Sequence, residues 1–137
     1  MGSRVALVIA SLVLASPVVA QRGPGRPPLV VENATVKLGP HSYAIPDAGV
    51  GQVPNVGIVV GDRATLVIDP GLGRRNGETV AREVAKLSGD RELYLASTHY
   101  HVEHTTGLAA FPATARYVNS KTQEADYGLG AAAHAGR

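Results

Sequence analysis

Three histidines and one carboxylate fall within six residues of the stretch Thr98-His99-Tyr100-His101-Val102-Glu103-His104-Thr105-Thr106-Gly107. Neutral imidazole and carboxylate are donors that suit zinc, iron and similar cations. His99 and His101 are two apart, so on an extended or loop backbone both rings can face one point. Glu103 and His104 follow where the chain turns and offer a second set of donors. A His-rich surface turn would carry the same letters for a lone H-x-H. Four candidate ligands behind a predicted strand favour a metal site, provided the surrounding elements place them together.

The elements that must do so are legible in part. Residues 56–60 (VGIVV) and 64–68 (ATLVI) are the two best strands, with Gly61-Asp62 as a hairpin signal between them in a loop that can run one residue further. The second strand runs into Asp69-Pro70-Gly71, where an Asp can serve a site or simply a turn. Residues 76–88 read as a helix, with Asn76 as its cap. Val80, Val84 and Leu87 mark the apolar face, and Glu78 and Arg82 an i,i+4 pair. Residues 93–96 then form a buried strand that leads into the histidines. Strand, helix and strand make a crossover with its two strands parallel, which sets Asp69 and His99 at one edge of one sheet, where α/β sites lie.

The flanks are less informative. Residues 42–45 read as a short strand, and the Gly-rich residues 49–55 as a loop. No Gly-Lys-Ser/Thr follows that loop, which argues against phosphate binding. Residues 108–111 read as a helical turn before Pro112, residues 115–118 as a strand and residues 120–127 as the start of a helix. His41 lies in the early hairpin and reads as a turn residue, and His134 sits in an Ala/Gly tail, residues 128–137.

Composition bounds the rest. The 137 residues suit one domain, and 45% hydrophobic content with 4% aromatics gives a small core with few large anchors. Net charge is +2, with no basic stripe interleaved with aromatics, so nucleic acid is not an expected partner. There is no Cys, which excludes disulfides and thiolate ligands. Residues 1–20 read as a signal peptide: Arg4, then an apolar run over residues 5–15, then Val18-Val19-Ala20 before Gln21. Eleven apolar residues fall short of the roughly 20 that a spanning helix needs, so no stable membrane anchor is expected. Secretion or export to a periplasm follows as the expected localisation. Residues 21–28 (QRGPGRPP) read as a disordered tether and residues 29–127 as the domain.

Taken together, the strand pair with Asp69-Pro70-Gly71, the helix, the strand over residues 93–96 and the T-H-x-H-x-E-H run resemble the metallo-β-lactamase-fold hydrolases. Their signature is T-H-x-H-x-D-H followed by Gly, after a strand ending in D-x-G. The resemblance spans residues 33–127. It implies an α/β (α+β) chain forming the first half of an αββα sandwich, and one or two Zn2+ ions, with iron as the alternative. By the resemblance, His99 and His101 would bind a first metal and His104 a second. Glu103 stands where the family has Asp, as a metal ligand that orients the attacking water, and Asp69 is the carboxylate that supports the ligands. The implied chemistry is metal-activated water attacking an ester, amide, lactam or thioester of a small-molecule substrate. Further family ligands come from a second half, so the chain reads as an N-terminal portion. Its open sheet face is expected to self-associate. Rival readings are a non-catalytic or inactive metal-binding fragment and an iron-dependent oxidising relative.

Overall fold

The computed structural model describes residues 27–125. The signal peptide, most of the tether, the tail and His134 lie outside the described residues. Six strands form one mixed sheet in sequence order: β1 (Val36–Lys37), β2 (Ser42–Ile45), β3 (Val56–Val60), β4 (Ala64–Ile68), β5 (Glu92–Ala96) and β6 (Arg116–Tyr117). The first four run as antiparallel neighbours, and β4–β5 and β5–β6 are parallel. This is the α/β architecture read from the sequence. β2, β3 and β4 have the predicted bounds, and the β3–β4 turn takes one residue more than Gly61-Asp62.

The two parallel pairs need crossovers, because a tight turn can only reverse the chain. The first is helix α1 (Gly73–Ser88), and the second is helix α2 (Val102–Thr105) continuing into a 3-10 turn (Thr106–Ala110). α1 and the 3-10 turn pack together over one face of the sheet. Strand alternation puts Val56, Ile58, Thr65, Val67 and Leu95 on that covered face, where Val80 and Val84 of α1 meet them and are essentially fully buried. The other face is open: Val59, Leu66, Tyr94, Ala96 and Val118 line a shallow apolar depression there. Among the described residues the chain therefore supplies one helical layer and one sheet.

Three details of the sequence reading change. α1 starts three residues before Asn76, and Asn76 does not cap it. Asn76 is buried, and its amide donates to Pro28 O and Leu72 O while its carbonyl accepts from Val30 N–H. This draws residues 28–30 onto the helix, so Pro28 is held rather than loose. Second, the helix end is closed from a distance: the Gly73 N–H donates to the Thr106 hydroxyl at 2.7 Å. No sequence-local cap signal announces a partner 33 residues away. Third, Arg82 pairs with Glu32 at 2.8 Å rather than with Glu78, whose ion partner is Arg74.

A buried carboxylate completes the attachment of the N-terminal segment. Glu83 accepts from Asn33 N–H at 3.0 Å, Thr35 Oγ1 at 2.7 Å and Lys86 Nζ. Burial pushes its carboxyl up, but the bonds from Lys86, Thr35 and Asn33 outweigh that and hold it below the usual carboxylate range.

Candidate metal centre

The parallel register of β4 and β5 brings two loops side by side at the carboxyl edge of the sheet. Asp69 N–H donates to Ala96 O at 3.0 Å, which aligns the ends of the two strands. The chain then leaves β4 through a left-handed Asp69 (φ +58°), a conformation that costs a non-glycine residue free energy unless neighbours hold it. They do hold it. Asp69 Oδ1 accepts from Thr98 N–H at 2.7 Å, and Oδ2 accepts from the Thr98 hydroxyl at 2.9 Å. The sequence reading of Asp69 and His99 at one sheet edge is what the geometry shows.

The histidine loop is fastened at both ends. Gly107 N–H donates to Gly71 O at 2.7 Å. The Thr106 hydroxyl, which accepts from Gly73, donates onward to Val102 O. A Cβ on Gly107 would collide with Pro70 O, and one on Gly77 of α1 would collide with Gly107 O, so only glycines permit this stack of main chains. At the other end Ser97 Oγ donates to His104 O at 3.1 Å. Gln123 Nε2 donates to Ser97 O at 2.7 Å and to Thr98 O at 3.2 Å, its own position set by reciprocal bonds with Ser120.

Within this frame the three imidazoles gather. Ring centroids lie 4.6 Å apart for His99–His101 and 4.0 Å for His99–His104. His104 is largely enclosed, more so than His101. Its Nδ1 lies 3.1 Å from Asp69 Oδ2 but off hydrogen-bond alignment, which leaves that nitrogen buried and without a bonded partner among the described residues. His101 is half exposed, with Nδ1 3.7 Å from Glu103 Oε1. Glu103 sits in the first turn of α2, a segment the sequence reading left as a plain turn. His41 is exposed at its turn, with Nδ1 3.0 Å from Val60 O, away from this group.

Donor chemistry and orphaned nitrogen fit a borderline cation such as zinc. As the side chains stand, no three His, Asp or Glu groups among the described residues are arranged to hold a metal ion. The structure thus collects the predicted donors in one loop without closing them into a cage. Thr98, Ser97 and Gln123 are the supporting residues that the sequence did not single out. Only the Ser120–Gln123 spacing, a capping-box pattern, carried a readable signal.

Comparison with known proteins agrees with this architecture. Solved structures that match it include a metallo-β-lactamase from Cronobacter sakazakii (Enterobacter sakazakii) with a HARLDQ motif and a mutant of that protein. TM-scores are 0.54 and 0.51, identities 18% and 19%, and the matches cover 69% and 68% of this chain. The chain spans 36% of the length of each. No curated protein matches it. The family model described as the metallo-beta-lactamase superfamily matches residues 49–135, more than half of the sequence and the whole of the loop system just described. The chain belongs to the metallo-beta-lactamase superfamily.

Proposed function

We propose that the protein is an exported metal-dependent hydrolase, or the portion of one that carries its first ligand cluster. One observation carries the reading: three imidazoles and Glu103 gather at the carboxyl edge of two parallel strands, beside a carboxylate already committed to hydrogen bonds. His99 and His101 would hold one zinc ion, and His104 with Glu103 a second. Zinc bound there supplies a water of pKa about 7 and polarises a carbonyl. Glu103 would help hold that metal and orient the water, a role supported by its position in the first turn of α2 beside His101. Asp69 stiffens the loop from beneath. The substrate class is a small molecule with an ester, amide, lactam or thioester bond. Export rests on residues 1–20, and its mark is mature protein whose intact mass begins at Gln21.

A second reading, metal binding without turnover, is favoured by the open arrangement of the donors. Elemental analysis of the full chain together with an ester and β-lactam panel separates the two. Zinc lost in both His99→Ala and His101→Ala, with zinc-dependent turnover in the parent, supports the hydrolase. Zinc without turnover supports the second reading. Unchanged zinc in both variants overturns the site.

A further inference from the structure

Thr98 stands between Asp69 and His99. Its hydroxyl donates to Asp69 Oδ2 at 2.9 Å, and the same oxygen lies 3.0 Å from His99 Nδ1. A hydroxyl has one proton, and a carboxylate only accepts. With that proton committed to Asp69, Thr98 Oγ1 can face His99 only as an acceptor. The hydrogen in the Thr98–His99 contact must therefore come from His99, on Nδ1. The ring's lone pair is then on Nε2. The main chain enforces the same alignment, because Thr98 N–H is fixed on Asp69 Oδ1 at 2.7 Å, so the carboxylate grips the residue at two points.

We propose that Thr98 is a positioning residue that sets the tautomer of His99, presenting Nε2 as its metal donor. The assignment deepens the metal reading and rests on it only for its purpose; the tautomer itself is a property of the protein without metal. Free neutral histidine favours the opposite form, with hydrogen on Nε2, so the hydroxyl reverses a preference rather than reinforcing one. Which nitrogen of an imidazole is protonated is set by the bond its other nitrogen makes. Losing such a support to a metal ligand typically costs 10–100-fold in metal affinity.

The test is long-range 1H–15N correlation on the full, metal-free chain labelled in histidine, above the imidazole titration range, with His99→Gln to assign the signals. His99 is expected in the Nδ1–H form. Thr98→Val keeps shape and the backbone bond to Asp69, and should return His99 toward Nε2–H. Zinc affinity, read by chelator competition, should fall about 10–100-fold. Thr98→Ser should restore both readouts. An Nε2–H tautomer in the parent, or no change in Thr98→Val at an unaltered melting temperature, overturns the proposal. The expected tautomers with no zinc uptake in the parent would leave the assignment standing and sink the metal reading instead.

Discussion

Asp69 Oδ2, just past the end of β4, and His104 Nδ1, on α2, lie 3.1 Å apart, both largely enclosed. The same oxygen already accepts from Thr98, so one carboxylate underlies both ends of the histidine run. Asp69→Ala should lower zinc affinity by about 10–100-fold, because it releases Thr98 and removes the carboxylate that faces His104. It also leaves Thr98 N–H without an acceptor, at a cost of about 1–3 kcal/mol. Chelator competition and denaturant titration read the two effects separately. Normal zinc affinity in a destabilised variant would make Asp69 a purely structural residue.

Gly77→Ala tests the contact between α1 and the histidine loop. Helix propensity alone favours Ala by about 1 kcal/mol. The added methyl, however, would collide with Gly107 O and press on Ala110 Cβ, and overpacking costs about 1–3 kcal/mol or more when backbone must move. The collision should win, with a lower melting temperature. Gly51→Ala, which would meet nothing within 4 Å, serves as the control and should be near neutral.

Glu83→Ala removes the acceptor of Asn33 N–H and Thr35. The expected loss is about 1–3 kcal/mol at neutral pH, read as a shift in denaturation midpoint. The carboxyl titrates below its usual range in the fold. Its contribution is therefore complete above the unfolded value and is lost as pH falls through the lower folded one. The gap between parent and variant should close in acid. A gap that stays constant to low pH would rule out the charged carboxylate as its source.

Thr65 offers a change in the opposite direction. It is fully buried, and its Oγ1 finds no hydrogen-bond partner among the described residues. A buried hydroxyl left unpaired costs about 1–3 kcal/mol. Thr65→Val, of nearly equal shape, should raise the melting temperature. A lower one would mean that the hydroxyl is bonded after all.

Glu103→Ala should reduce bound zinc, while Glu103→Asp should keep the metal and alter turnover, since one methylene less moves the carboxylate without removing it. Elemental analysis and hydrolysis rates on the ester and β-lactam panel check both. If Glu103→Ala changes neither, Glu103 is a solvated helix-start carboxylate.

The sequence made legible those features that depend on local pattern. β3 and β4 follow from alternation of Val and Ile between turn residues, and α1 from the spacing of Val80 and Val84. The parallel β4–β5 pair follows from the helix between them, and with it the placing of Asp69 and His99 at one sheet edge, though not the bonds from Thr98 to Asp69. What stayed hidden depends on contacts between distant residues. Asn76 looks like a cap because caps are local, yet its partners Pro28 and Val30 lie 48 and 46 positions away. Thr106 shows no sign in the sequence that it closes α1. α2 is a single turn whose Val102, Glu103 and His104 give no period to read. The histidine spacing named the donors but not how their rings would stack, which side-chain packing decides.

The seat of the histidine loop is peptide resting on peptide: Gly107 lies against Pro70 and Gly71 beneath it and against Gly77 alongside. No side chain cushions these contacts, so no rotamer change can lengthen or shorten them. The loop is therefore seated by main-chain contacts that no side-chain adjustment can relieve. Error tolerance in this fold is thus nearly nil at Gly77 and Gly107, two residues whose contribution is to be absent of bulk.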